Sequence, residues 1–157
     1  MKHLLALIIF VFAFPAGAQQ TAISTVNTSG TTTAVSQTWP GAALSVASIT
    51  WTSDAGGDAI ASLGPLVGEL VRVVTNPSDG ATSPTASYDV TLTDQDGIDV
   101  LAGRAADRSA TASESFTPMS GDTTTSTPMA LAGTHTLTVD NAGAARSGVL
   151  RLYLRRN

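Results

Sequence analysis

The sequence predicts an all-β protein, an antiparallel β-sandwich with a jelly-roll-like arrangement of strands. Short runs in which apolar and polar residues alternate are separated by turn-forming residues, and no amphipathic helix of useful length interrupts them. Aromatic residues make up only 5% of the chain, so Val, Leu, Ile and Ala have to build the core. These aliphatic side chains suit close packing of sheets.

The first 18 residues have the pattern of a secretory signal peptide, with cleavage expected after Ala18. Lys2 and His3 form a short positive region, residues 4–14 form an unbroken apolar run, and small residues precede the cleavage point. A membrane-spanning helix needs about 20 apolar residues, so an uncleaved membrane tether is the alternative. The protein is therefore expected to be exported, to the periplasm, the cell surface, the medium or a virion.

The charge of the remaining chain excludes several classes of partner. It carries 7 Arg and no Lys against 12 acidic residues. This negative balance argues against binding to nucleic acid, and a membrane contact is expected only through an uncleaved N-terminal segment. Exported proteins often contain disulfides, but this chain has no Cys. Packing, a ligand or oligomerisation has to supply its stability.

Composition divides the chain near residue 46. Residues 19–46 are rich in Thr, Ser and Ala and carry no charge, so we predict an extended arm or linker, with a weakly specified edge strand as the alternative. Residues 47–157 alternate regularly and are predicted to form the β-sandwich domain. We expect residues 19–46 to be less ordered in an isolated monomer than residues 88–101, because they bury too little apolar area to offset the entropy of ordering.

Three strands can be predicted with some detail. Residues 66–75 are expected to form a long buried strand, because Gly64, Pro65 and the valines disfavour a helix. Residues 88–93 and 134–141 alternate with a period of two and should each bury one face. The buried faces are predicted to hold Tyr88, Val90 and Leu92 in the first strand and His135, Leu137 and Val139 in the second.

The acidic cluster Asp94, Asp96 and Asp99 poses a choice between a metal-binding loop and a β-hairpin turn. A calcium loop of the EF-hand type needs a carboxylate at its fifth position and Gly at its sixth, but here Ile98 is fifth and Gly97 comes two places early. We therefore predict a hairpin turn without metal, in which Asp94 accepts backbone N–H bonds and Gly97 takes a positive φ. A true or incidental Ca²⁺ site is the alternative.

We predict no catalytic, cofactor-binding or metal-binding residues. His135 is the only histidine after residue 18, it lies at an alternating strand position, and no Gly-x-Ser-x-Gly motif is present. The carboxylates cluster in turns rather than in apolar settings that would raise their pKa for glycosidase chemistry. The chain is thus expected not to be an enzyme and to need no cofactor.

Surface candidates come from aromatic and basic residues. Trp51 shares a strand face with Ile49 and is predicted to lie in the core, whereas Trp39, before Pro40, is a candidate platform for surface glycans. The C-terminal strand is predicted to be a solvated edge of the sheet, with contact to an acidic partner as the alternative. The arginines crowded at the C-terminus are Arg146, Arg151, Arg155 and Arg156, of which Arg151 and Arg155 share one face of the strand.

Five blocks are distinctive together: ITWTSD (49–54), GELVRVVTNP (68–77), YDVTLTDQDGIDVLAG (88–103), LTVDNAG (137–143) and SGVLRLYLR (147–155). They resemble small uncharacterised β-rich proteins encoded among phage and prophage structural genes, over about residues 47–156. The resemblance implies a virion-associated or host-surface structural module. The signal peptide departs from it, because tailed-phage heads and tails assemble in the cytoplasm.

The sequence therefore favours a non-enzymatic structural or surface-contact module, of capsid or decoration type in a virion or displayed on the host surface. Its expected partners are itself or other structural proteins. Self-association or a high copy number is expected, since weak contacts become effective when they are repeated. The alternative is a secreted or periplasmic carbohydrate-binding or adhesion domain that contacts surface glycans.

Overall fold

A computed structural model describes residues 19–38, 42–118 and 127–156. Within these residues the chain is all-β, with ten strands and a single 3-10 turn at Gly80–Thr82. None of the described residues belongs to a helix with the length and apolarity that crossing a membrane requires. The strands are β1 (Gln19–Ser29), β2 (Thr31–Thr38), β3 (Leu44–Thr52), β4 (Ala59–Gly64), β5 (Gly68–Pro77), β6 (Asp89–Thr93), β7 (Glu114–Phe116), β8 (Met129–Leu131), β9 (His135–Asp140) and β10 (Ser147–Arg155).

The strands form one curled antiparallel sheet, a half-barrel, in the order β6-β9-β4-β1-β2-β3-β10-β5-β7, with β8 also pairing with β5. β1 joins two parts of this sheet. Its first half, residues 19–23, pairs with β2, and from Ser24 onward it pairs with β4. The all-β, antiparallel class predicted from the alternating pattern is confirmed.

The core is built by strict alternation along the strands. In β10 the inward residues Leu150, Leu152 and Leu154 are buried. Trp51 is buried too, as predicted, and its ring centroid lies 5.6 Å from that of Tyr88, which immediately precedes β6. A Cβ atom at position 148 would lie 2.6 Å from Trp51 Cζ2, so glycine there lets the indole ring lie against the β10 backbone.

The faces predicted for two strands are confirmed. β6 buries Val90 and Leu92, with Tyr88 buried just ahead of it, while β9 buries the face that begins with His135. Residues 68–77 form β5 rather than a helix, as the valines indicated. A period of two is a local signal, so it survives folding wherever one side of a strand meets the core.

Residues 19–29 and 31–38 form strands where composition indicated an arm or linker. β2 pairs over its whole length with β3, from Thr31 opposite Thr52 to Thr38 opposite Ser45. Ladder hydrogen bonds to a neighbouring strand can hold a segment that has few large apolar side chains. The order of this segment in an isolated monomer stays a prediction.

The C-terminal strand does not lie at an edge, so the prediction of a solvated edge strand is wrong. β10 lies between β3 and β5, with Leu152 opposite Ala47 on one side and Val73 on the other. The leucines of β10 face the core, as expected for a central strand. The arginines between them face outward, and it was these arginines that suggested an edge strand. Arg151 and Arg155 stand on the outward side, together with Tyr153.

Candidate functional site

A cleft of about 590 Å³ opens at one end of the curled sheet. It lies between the first half of β1 and the loop from β4 to β5, residues 64–68, and β2, β3 and β10 also contribute side chains to it. We call this the cleft end. The opposite end of the strands, formed by residues 53–58 and 141–146, is called the turn end.

The cleft exists because β1 changes partner along its length. Up to Ile23 it pairs, among the described residues, with β2 alone, and from Ser24 it pairs with β4. β4 ends at Gly64, directly opposite Ser24, and Pro65 has no N–H group with which to continue the ladder. The edge of residues 19–23 that faces away from β2 therefore pairs with no other described residue and borders the cleft.

The cleft lining combines hydroxyl groups and aliphatic side chains. Val67 stands at the rim with 65% of its surface exposed, and Ile23 packs against the core from β1. Arg156 is the one charged residue among the described residues that line the cleft. Such a lining suits an uncharged, extended segment with small side chains. The hydroxyl groups belong to Thr21, Ser36, Thr38 and Ser45.

The acidic turn, residues 94–98, is held by hydrogen bonds from its own backbone N–H groups to the Asp94 carboxylate. The Asp94 carboxylate atom Oδ1 accepts the N–H of Asp96 at 3.0 Å and that of Ile98 at 2.9 Å. Gly97 has a φ of +80°, a region that glycine enters without steric cost. The predicted turn, with Asp94 as acceptor and Gly97 at positive φ, is confirmed.

Beyond this turn the structure differs from the predicted hairpin, because the second arm is not a strand. Asp99 meets Thr93 only through an isolated bridge. Its carboxylate accepts N–H bonds from Leu92 at 3.1 Å, Leu101 at 3.0 Å and Gly103 at 2.8 Å, which fold the following residues into successive turns. Backbone N–H groups thus bind Asp94 Oδ1 and both carboxylate oxygens of Asp99.

A second aspartate turn closes the turn end. Asp54 Oδ1 accepts the N–H groups of Gly56 at 2.7 Å, Gly57 at 3.0 Å and Asp58 at 3.1 Å, while the Ser29 hydroxyl donates to Oδ2. The Ser29 hydroxyl and the backbone N–H groups hold the pKa of Asp54 below its ordinary value. This turn shares with the acidic turn an Asp at the first position and a Gly at the fourth.

Three aspartates meet beside the turn end. Asp89 on β6 is the register partner of Asp140 on β9, and Asp58 precedes β4, the other neighbour of β9. Burial raises the pKa of Asp140, and the carboxylates of Asp58 and Asp89 raise it further. In the described part of the chain, no group of three or more acidic, His or Cys side chains is arranged to hold a metal ion.

The buried titratable side chains of His135 and Tyr88 lie among core residues and backbone atoms. His135 is 2% exposed, and its Nδ1 atom lies 3.0 Å from the carbonyl oxygen of Gly133. Burial raises the pKa of Tyr88 to about 12, and the Glu114 carboxylate contributes in the same direction. Both side chains face the core rather than the cleft, so neither can offer a proton to a molecule bound there.

The outward arginines take part in contacts along the sheet. Arg155 Nε donates to Glu69 Oε2 at 2.6 Å, and the two residues are register partners on β10 and β5. The Arg72 guanidinium lies 5.2 Å from the centre of the Tyr153 ring. Trp39, the predicted glycan platform, and the expected signal peptide lie outside the described residues.

Sequence reasoning also missed the cleft. Gly64 and Pro65 were noted as helix breakers, and they do end β4, but the change of partner along β1 depends on strands distant in sequence. No protein-family model, no curated protein and no solved structure matches the chain. The resemblance to phage structural proteins accordingly rests on the five sequence blocks alone.

Proposed function

We propose that the chain is an exported, non-enzymatic module of structural or surface-contact type that works in many copies. It would act in a virion as a capsid or decoration-type subunit, or on the surface of the host. The observation that carries this proposal is the solvent-facing side of β2, β3, β10 and β5. We call this surface the outer face.

The outer face is continuous across four strands that are all paired with neighbours on both sides. It mixes aliphatic, hydroxyl, aromatic and arginine side chains, and Tyr and Arg are enriched in protein interfaces. Lys is absent from it, and Glu and Asp occur only at its margins. Its two central rows are Gln37, Val46, Tyr153 and Arg72, and Val35, Ser48, Arg151 and Val74, of which Val74 is buried.

Tyr153 and Arg72 contact each other on the outer face. The guanidinium stacks on the ring, and Arg72 Nε also donates to Ser115 Oγ at 3.3 Å. A side chain that is already held in place loses less conformational entropy when a partner binds. We therefore assign the main contact to this pair.

The surroundings of the titratable groups support a contact role over an enzymatic one. His135 faces the core beside a backbone carbonyl, and Tyr88 is buried at a pKa of about 12. The Asp54 carboxylate is occupied by backbone N–H groups at the turn end. Each of these groups has a structural task, and none faces the cleft.

The proposal also includes the way in which the two parts of the curled sheet pack against each other. We infer that β4, β9 and β6 pack over the inner face of the main sheet, as in a β-sandwich or jelly roll. The contact of Trp51 on β3 with Tyr88 ahead of β6 supports this, as does β1, which changes partner as strands do at sandwich corners. An experimental structure with two faces about 10 Å apart would test it.

The function is tested with the exported protein and with particles from its source. Sedimentation velocity and mass photometry over a range of concentrations should show self-association, and proteomics of purified particles should detect the chain in many copies. Tyr153→Ala should reduce its incorporation into particles without lowering the melting temperature. Thr91→Ala, on the outward side of β6, is the matched control. A strict monomer that is absent from every particle would overturn the proposal.

Carbohydrate binding is the second candidate, and the exposed side of Tyr153 beside Arg72 favours it, because sugar rings stack on aromatic surfaces. A glycan array probed with the exported protein separates the two functions. Specific binding that is lost in Trp39→Ala or Tyr153→Ala would support the adhesion alternative. Binding to no glycan, together with incorporation into particles, would support the structural module.

A further inference from the structure

Within the described residues, other parts of the chain cover the strand edges along β6 and along β5. Along β6 the loop that follows it forms bridges at Arg108 and Asp99, and the N–H of Val90 donates to Ala105 at 2.9 Å. Along β5, the short strands β7 and β8 pair with residues 73–75 and 68–70. Natural proteins commonly protect edges with such short strands and loops.

The first half of β1 forms a further edge, and no other described segment protects it in this way. Residues 19–23 pair on one side with β2, while on the other side no described residue pairs with them. The segment contains no charge and no Pro, and the irregularity in β1 lies further along, between Asn27 and Ser29. Alternate residues of an antiparallel edge direct N–H and C=O groups outward, so this edge offers unpaired backbone groups.

We propose that the open edge of β1 pairs antiparallel with the same edge of a second copy, around a two-fold axis. The sheet would then run without interruption from one copy into the other. This proposal deepens the proposed function and rests on it, because a module that works in many copies needs a contact with itself. An isologous contact of this kind uses one surface patch twice.

The absence of charge along this edge favours a second copy of the chain as the partner that pairs with it. Like charges placed directly opposite each other across a two-fold axis would repel, but no residue from 19 to 46 is charged. Beside the edge, Arg156 is the one charged residue among the described residues that line the cleft. The residues of the edge therefore add no like-charge repulsion of their own when it meets its own copy.

The cleft gives room to the side chains of the added strand. Thr21 and Ile23 are opposite Ser36 and Ala34, and Ile23 packs toward the core. In the second copy the same two side chains would point into the shared space beside Val67. Small and aliphatic side chains match the hydroxyl and aliphatic lining, and the burial of Val67 would add apolar area to the contact.

Cysteine cross-linking tests the pairing, because the natural chain contains no Cys. A two-fold axis in an antiparallel pair brings one residue opposite its own copy, at a Cα–Cα distance of about 4.5–5.5 Å that a disulfide can bridge. Gln20→Cys, Thr21→Cys and Ala22→Cys are made singly in the exported protein, whose N-terminus is established by intact-mass analysis. Thr28→Cys, exposed on the half of β1 that pairs with β4, is the control.

Under mild oxidation one of the three edge variants should form a disulfide-linked dimer at least tenfold faster than Thr28→Cys. Ala22→Lys should raise the dimer dissociation constant at least tenfold, because each copy then brings a positive charge to the uncharged edge close to the two-fold axis. Thr91→Lys carries the same change of charge on β6 and should leave association unchanged. Equal cross-linking of all four cysteine variants would overturn the pairing.

The remaining outcomes separate this inference from the proposed function. Self-association that Ala22→Lys does not weaken would overturn the β1 contact and leave the structural function standing. A strict monomer that retains residues 1–18 and protects residues 19–23 from hydrogen exchange would mean that its own N-terminal segment covers the edge, which also overturns the pairing. A monomer absent from every particle would end both proposals.

Discussion

The turn end and the cleft end of the same strands are closed in different ways. At the turn end, the Asp54 carboxylate accepts three backbone N–H bonds, and Ser53 Oγ donates to the carbonyl of Gly143. At the cleft end, β4 stops at Gly64, β1 continues alone beside β2, and hydroxyl groups line an open space. Side chains that bind backbone groups close the turn end, while at the cleft end one edge of β1 has no pairing partner among the described residues.

This difference predicts which end of the strands contributes to the stability of one chain and which end contributes to association between chains. Short polar side chains that satisfy backbone groups stabilise a turn whatever surrounds it. An unpaired edge contributes little to the fold of one chain, but it can pair with another. Substitutions at the turn end should therefore change the melting temperature, and substitutions at the cleft end should change association.

The largest effect is expected at Trp51, at the end of β3 that lies near the turn end. Trp51→Ala removes the ring that packs against Tyr88 and Gly148, and we expect a loss of about 3–5 kcal/mol in the free energy of unfolding. Leu44→Ala, at the cleft end of the same strand, is the control, because Leu44 is 44% exposed. It should cost less than about 0.5 kcal/mol. Urea denaturation measures both, and equal losses would contradict the comparison.

Asp54→Ala should give the next largest loss, because it leaves the N–H groups of the turn without their acceptor. The folded chain holds the pKa of Asp54 below 3.8, so its contribution is present above that pH and is lost as the pH falls through the folded pKa. The melting temperature of Asp54→Ala should lie below that of the natural chain at neutral pH and approach it in acid. Asp96→Ala, in the acidic turn, should change little, since Asp96 is exposed and contributes its N–H rather than its carboxylate. A pH-independent difference would contradict this account.

Thr32→Val should stabilise the protein by about 1 kcal/mol. The Thr32 side chain is 1% exposed, and its Oγ1 atom has no hydrogen-bond partner among the described residues. Replacing a buried, unpaired hydroxyl with a methyl group of similar size removes a desolvation cost. Thr31→Val, at the exposed neighbouring position, is the matched control. A lower melting temperature for Thr32→Val would show that the hydroxyl is satisfied after all.

The smallest effect is expected at Asp140. Burial and the carboxylates of Asp58 and Asp89 raise the pKa of Asp140 above 3.8, so its ionised form destabilises the fold at neutral pH. This cost disappears as the pH falls below the ordinary value. Asp140→Asn should therefore raise the melting temperature slightly at neutral pH and leave it unchanged near about pH 3. A gain that is equally large in acid would refute the electrostatic explanation.

The parts of the structure that could be predicted depend on near neighbours in the chain. The buried faces of β6 and β9 follow from alternation, and the acidic turn follows from Asp94 and Gly97 three residues apart. The second arm after Asp99 could not be predicted, because its carboxylate reaches back to Leu92 and forward to Gly103. That arrangement needs the core to hold the loop in place.

The sequence by itself determined that the chain is all-β, which side of each alternating strand faces inward, and where Asp and Gly make tight turns. These properties arise within a few residues, from the geometry of a strand or a turn. Only the tertiary structure decided that β10 is central, that residues 19–38 are strands of the sheet, and that β1 changes partner after Ile23. Pairing between distant strands depends on which edges remain free once the core has formed, and no local pattern encodes that choice.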